Sequence, residues 1–131
     1  MATNQTLALQ LKILPGEFNI HRFDSAAAVP AQVYDGPFFN ICRTDEELSI
    51  VCADNIALDS PRCDTGWSGI KVIGPLDFAM TGILAHLSTL LAEAGISLFA
   101  LSTYDTDYVL VKTAKLDHAV AALESGGNCF P

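Results

Sequence analysis

Hydrophobic and polar positions alternate or recur with a changing period along this chain. From Thr6 to Leu14, the residues Leu7, Leu9, Leu11 and Ile13 alternate with Ala8, Gln10 and Lys12, which predicts a strand. Pro15-Gly16 is a turn, and Phe18 to Phe23 reads as a second strand. Ser25 to Gln32 is rich in alanine but short and interrupted by Pro30, so it is a loop or one helical turn. Phe38 to Arg43 and Leu48 to Ala53 read as strands around the acidic turn Thr44-Asp45-Glu46-Glu47. Asn55 to Gly66 is polar, carries Pro61 and Gly66, and is the expected linker. Trp67, the only tryptophan, then opens a strand. Its expected role is packing across the junction between the halves, with lining a pocket as the other reading.

The second half is more regular. Lys71 to Ile73 is a short strand broken by Gly74-Pro75. A helical run follows from Ala79 to Ala94, in which Ile83, Leu84, Leu87, Leu90, Leu91 and Ala94 form one apolar stripe. Asp77 stands just before it, where a carboxylate caps free backbone N–H groups. Gly95 is placed to end the helix in a left-handed conformation. Ile96 to Thr103 reads as a strand, Tyr104 to Thr106 as a turn, and Asp107 to Lys112 as the returning strand. Thr113 is expected to cap a second helix that buries Leu116, Ala119, Val120 and Leu123 and stops at Gly126-Gly127.

The order β-α-β-β-α is the split unit of the ferredoxin-like α+β class. A right-handed crossover makes its first two strands parallel. The end of the first strand, the start of the helix and the hairpin turn then share one end of the sheet. Gly74, Asp77, Thr103, Asp105 and Asp107 converge there on topology alone. A helix N-terminus with several carboxylates suits a small zwitterion: the N–H groups attract a carboxylate, and an aspartate pairs with an ammonium.

Four strings carry a family resemblance. GPLDF at Gly74–Phe78, TGIL at Thr81–Leu84 and STYDTDYVLV at Ser102–Val111 resemble the ACT domain. More narrowly, they are similar to the small tandem-ACT proteins related to the CASTOR arginine sensors. RTDEELSIVC at Arg43–Cys52 resembles the first half of the bacterial members. The resemblance implies two ferredoxin-like βαββαβ units in tandem, with antiparallel sheets and helices on one face. Residues 1–66 would be a degenerate N-terminal ACT-like domain and 67–131 the C-terminal ACT domain. It also implies a regulatory module that binds a small molecule, usually a free amino acid, without catalysis. The ligand is expected near the interface between domains, at Gly74, Asp77, Thr81 and Gly82 of the strand–helix loop and Ser102, Thr103 and Asp105 by the hairpin turn.

Each of those residues also has a purely structural use. Asp77 serves as a helix cap whether or not it meets a ligand. Asp105 and Asp107 shape a tight turn through local hydrogen bonds. Gly82 suits close helix packing, as it suits close approach of a ligand.

Composition narrows the function. Half of the 131 residues are apolar and 17% are charged, so the chain has the makings of a real core. Its net charge is −8, with seven Lys and Arg and no basic run, which disfavours nucleic acid and anionic membrane surfaces as partners. No segment reaches the length of a membrane span. Met1-Ala2-Thr3-Asn4-Gln5 lacks the basic and apolar regions of a signal peptide, so the expected compartment is the cytoplasm. Cys42, Cys52, Cys63 and Cys129 form no CxxC pair and match no zinc framework, with or without His21, so no metal or cofactor is expected. No nucleophile elbow, P-loop, dinucleotide fingerprint or HExxH occurs, and His86 and His118 lie within the two helices, where histidines are more often partly exposed surface or packing residues than bases. The Asp105-x-Asp107 pair offers too few ligands for a divalent cation.

Two readings remain. One is a ligand-binding regulatory module, favoured by the joint presence of Gly74, Asp77, Thr81, Gly82 and Asp105. The other is an assembly module that keeps the fold without a ligand. A homodimer is the expected oligomer in both, because sheet edges need cover.

Overall fold

The computed structural model of the chain describes residues 7–74 and 81–131. In chain order the elements are β1 (Leu11–Ile13), β2 (Phe18–Phe23), β3 (Phe39–Arg43), β4 (Leu48–Ala53), β5 (Arg62–Val72), α1 (Ile83–Glu93), β6 (Phe99–Ser102), β7 (Asp107–Lys112) and α2 (Leu116–Ser125). They form two compact units. Gly16–Trp67 is one, and Ser68–Pro131 with the N-terminal segment up to Pro15 is the other.

Within Gly16–Trp67 the strand order is β3–β4–β2–β5. β2 and β4 pair antiparallel from Phe18 against Ala53 to Phe23 against Leu48, and β3 pairs antiparallel with β4. Period-two alternation then sends Phe23, Leu48, Ile50 and Cys52 into one core, where they meet Val33. Val33 comes from the 3₁₀ turn Ala31–Asp35, which starts after Pro30 at the end of the alanine-rich stretch and runs past it. The expected linker Asn55–Gly66 is in part a strand. Gly66 takes a φ of 79°, and the β2–β5 register slips by one residue between Phe18 opposite Trp67 and Ile20 opposite Asp64. The glycine thus marks a bulge inside one long strand rather than the end of a linker.

The second unit has the strand order β1–β5–β7–β6. β1 pairs antiparallel with β5, Leu11 opposite Val72 and Ile13 opposite Ile70, and β6 pairs antiparallel with β7. This is the ferredoxin-like α+β order, with the N-terminal strand in the place of the motif's last strand. The expected strand Thr6–Leu14 shrinks to three residues, but its register with β5 is why the segment belongs to this unit. Leu11, Ile70, Val72, Val109 and Val111 face the helices and pack with Ile83, Leu87, Leu91, Ala119 and Leu123. Each fully buried Leu or Val among them contributes about 1.5–3 kcal/mol of apolar burial.

Glycines end both helices. Gly95 (φ 73°) follows α1, with Gly95 N–H donating to Ala92 O at 3.0 Å and Ile96 N–H to Leu91 O at 2.9 Å. Gly127 (φ 97°) follows α2 in the same way, with Gly127 N–H donating to Glu124 O at 3.0 Å and Asn128 N–H to Leu123 O at 3.2 Å. These are Schellman caps, and they satisfy the last carbonyls. The helix starts differ from expectation. Among the described residues α1 begins at Ile83 with Gly82 (φ 81°) at its N-cap, whereas the expected helical run includes Thr81 and Gly82. Asp77 itself lies outside the described residues. Thr113 does not cap α2: it opens a 3₁₀ turn, and its hydroxyl pairs with Ser68 Oγ at 2.8 Å.

Candidate functional site

Two contacts fasten β7 beside the second half of β5. Thr106 Oγ1 donates to Val72 O at 2.5 Å, and at the other end Ser68 Oγ pairs with Thr113 Oγ1. The chain numbers run in opposite directions, so the strands are antiparallel. The turn before β7 therefore stands at the end of β5, where the chain leaves for α1. Thr106 is 4% exposed, which makes its hydrogen bond a buried one that the apolar surroundings cannot replace.

The turn is built by its own side chains. Ser102 opposite Asp107 closes β6 and β7, and Ser102 Oγ donates to Asp107 Oδ1 at 2.6 Å. Thr103 N–H donates to Thr106 O at 2.8 Å, and Thr103 Oγ1 accepts from Thr106 N–H at 3.3 Å. These bonds close a four-residue loop that leaves Tyr104 and Asp105 in solvent.

The sequence-predicted residues stand as follows. Gly74 is exposed one residue past Ile73, whose N–H donates to Gln10 O at 2.8 Å. Thr81 and Gly82 are exposed at the start of α1. Topology puts Gly74, Gly82 and the turn residues Ser102, Thr103 and Asp105 at one end of the sheet. Asp77 lies outside the described residues. Of this set, Ser102 and Thr103 already spend their hydroxyls inside the turn, while Asp105 is exposed. Thr106 was not singled out by the sequence, because a threonine between two aspartates in a turn gives no sign that it is buried.

A second polar junction supports α1. His86 N–H donates to Gly82 O at 2.8 Å in the first turn of the helix. Its side-chain Nε2 meets Asn128 Oδ1 at 3.0 Å. The same oxygen accepts from Leu9 N–H at 3.1 Å, and Asn128 Nδ2 donates to Leu123 O at 2.9 Å. Both ends of the amide thus have backbone partners that define its orientation, and Nε2 of His86 must carry a hydrogen. The sequence alone shows His86 as a helix residue and gives no sign of this partner.

Chemistry elsewhere is muted. His21, 3% exposed, bonds Ser60 Oγ through Nδ1 at 2.8 Å, and its buried Nε2 has no hydrogen-bond partner among the described residues. Burial holds its pKa below the ordinary value. Burial pushes the Cys52 thiol up, and the neighbouring Cys63 adds to this. Cys63 is raised by partial desolvation and by Asp64, against an opposing hydrogen bond with Ser60. Raised thiols are poor nucleophiles at neutral pH. Among the described residues no three His, Cys, Asp or Glu side chains are grouped to hold a metal ion, and no helix is long and apolar enough to cross a membrane.

Comparison with known proteins agrees with this architecture. A family model described as an ACT domain matches residues 62–125, and a second model, of an N-terminal domain, matches residues 16–59. The protein Atu0741 from Agobacterium tumefaciens has a crystal structure similar to this one, at a TM-score of 0.89 and 38% identity, covering 95% of this chain and 93% of that one. The human protein CASTOR3P is 31% identical over a match that takes in 67% of this chain and 62% of that protein, so the chain spans less than two thirds of that relative. The regulatory subunit of aspartate kinase from Thermus thermophilus has a TM-score of 0.66 at 9% identity, covering 92% of this chain and 99% of that one, and this likeness concerns the fold alone.

Proposed function

This chain belongs to the ACT-domain family, and from that premise we propose that it is a regulatory module that binds a free amino acid and catalyses nothing. The ligand sits at the strand–helix connection and hairpin turn of the second unit. Gly74, Thr81 and Gly82 leave room for it, and the N–H groups that open α1 receive its α-carboxylate. Asp105 or Asp77 pairs with its α-ammonium group, while Ser102 and Thr103 hold the turn in shape.

The observation that carries this reading is the bond from Thr106 Oγ1 to Val72 O. It ties the turn that bears Asp105 to the end of β5, two residues before Gly74, so ligand groups bound to both would be held by one frame. Asp105 is an exposed carboxylate available for pairing. The homodimer expected from the sequence is part of the same proposal, and light scattering on the purified protein tests it.

A thermal-shift screen against the twenty amino acids tests the reading. A ligand that binds only the folded state raises the melting temperature as its concentration rises. One amino acid is expected to do so, and Asp105→Ala is expected to weaken it at least roughly tenfold, the loss of one charge-assisted contact. Absence of any shift at millimolar concentration would replace this reading with the assembly module.

A further inference from the structure

We propose that the N-terminal segment Leu7–Ile13 is a conformational reporter of the strand–helix connection, docking more firmly when that connection is held in place. The ligand in this proposal rests on the reading above; the mechanical coupling does not.

The segment touches both flanks of the connection through adjacent residues. On the strand side, Gln10 O accepts from Ile73 N–H at 2.8 Å, one residue before Gly74. On the helix side, Leu9 N–H and His86 Nε2 share Asn128 Oδ1, at 3.1 and 3.0 Å. His86 lies in the first turn of α1, its own N–H bonded to Gly82 O. A shift of the start of α1 relative to the end of β5 must therefore stretch one of these bonds or move residues 9 and 10.

The remaining contacts make docking nearly all-or-none. Residues 9–11 lie between β5 and the chain after α2, where Leu11 N–H donates to Cys129 O at 2.7 Å and Cys129 N–H to Leu9 O at 2.9 Å. Leu9 and Leu11 are buried in the core beneath both helices. Undocking would break the three-residue ladder with β5 and the bonds to Cys129, and expose both leucines together. Contacts that are lost together make the segment one cooperative unit, and linkage makes its coupling to the connection reciprocal.

Hydrogen exchange on the full chain tests this at the Leu9, Leu11 and Ile73 amides. The variants are His86→Ala, His86→Gln, which keeps a donor, and Leu116→Ala, a loss of packing that leaves the junction intact. At matched global stability, His86→Ala is expected to speed exchange at these three amides roughly fivefold or more over Leu116→Ala, the low end of typical coupling, and His86→Gln to restore much of the protection. Equal rates in the alanine variants would overturn the coupling. For any amino acid that stabilises the wild-type protein, its addition is expected to slow exchange at Leu9 and Leu11. Binding without that slowing overturns the reporter role alone. An absence of binding by all twenty overturns the reporter role and the ligand reading together, and leaves only the mechanical coupling.

Discussion

Thr106 donates its hydroxyl to the carbonyl oxygen of Val72 across a separation of 34 residues, and this buried bond attaches the hairpin turn to the end of the central strand. Thr106→Val keeps the shape and removes the donor. The expected cost is about 1–3 kcal/mol, that of leaving a buried acceptor unsatisfied, read as a lower urea midpoint. Thr106→Ser keeps the hydroxyl and should lose less. Equal losses in the two variants would mean that the methyl group, not the bond, holds the turn.

His21 makes stability depend on pH. Its folded-state pKa lies below that of the unfolded chain because burial disfavours the charged form. The unfolded chain therefore takes up a proton that the folded protein refuses, and stability rises with pH through this window. The contribution is fully present above about pH 6.5 and is lost as the pH falls from there through the folded value. Melting temperatures from about pH 5 to 7 should rise more steeply for the wild type than for His21→Phe. Identical slopes would assign the dependence to other groups.

Gly126 is a packing glycine. A Cβ there would lie 2.4 Å from Leu90 Cδ1, 2.7 Å from Cδ2 and 3.1 Å from Cγ. The whole leucine side chain would have to move, so Gly126→Ala should cost about 1–3 kcal/mol by overpacking. Combined with Leu90→Ala, the same change should be close to neutral or favourable. A denaturation cycle over the four proteins measures the difference.

Gly66 is a conformational glycine instead, with open space where a Cβ would sit and a φ of 79°. Gly66→Ala should cost about 1–2 kcal/mol for the left-handed backbone, and Gly66→Asn less. Loss of the bulge would shift the β2–β5 register by one residue, which amide proton contacts across the pair by NMR would reveal.

Strands with clear alternation were legible in the sequence. Phe18–Phe23, Leu48–Ala53 and Asp107–Lys112 fall where period and composition put them. Gly95 and the Gly126-Gly127 pair end their helices as read. The errors have physical causes. Gly66 looks like a break by composition, because a bulge and a loop demand the same left-handed residue. Thr113 looks like a cap until β5 supplies Ser68 as a nearer partner. The N-terminal strand was visible, but its place beside β5 was not, since pairing between residues some sixty apart leaves no local signal. The candidate site was legible as an end of the sheet, from topology. Its supporting bonds, Thr106 to Val72 and His86 to Asn128, were not, because burial of a single polar side chain has no period.

Amide shift mapping by NMR during an amino-acid titration tests the central claim most directly. For the amino acid that stabilises the protein, saturable shifts should gather at Gly74, Thr81, Gly82 and Ser102 to Asp105, and the Asp105→Ala variant should weaken them. Shifts confined to Gly16–Trp67, or none from any of the twenty amino acids, would contradict the account.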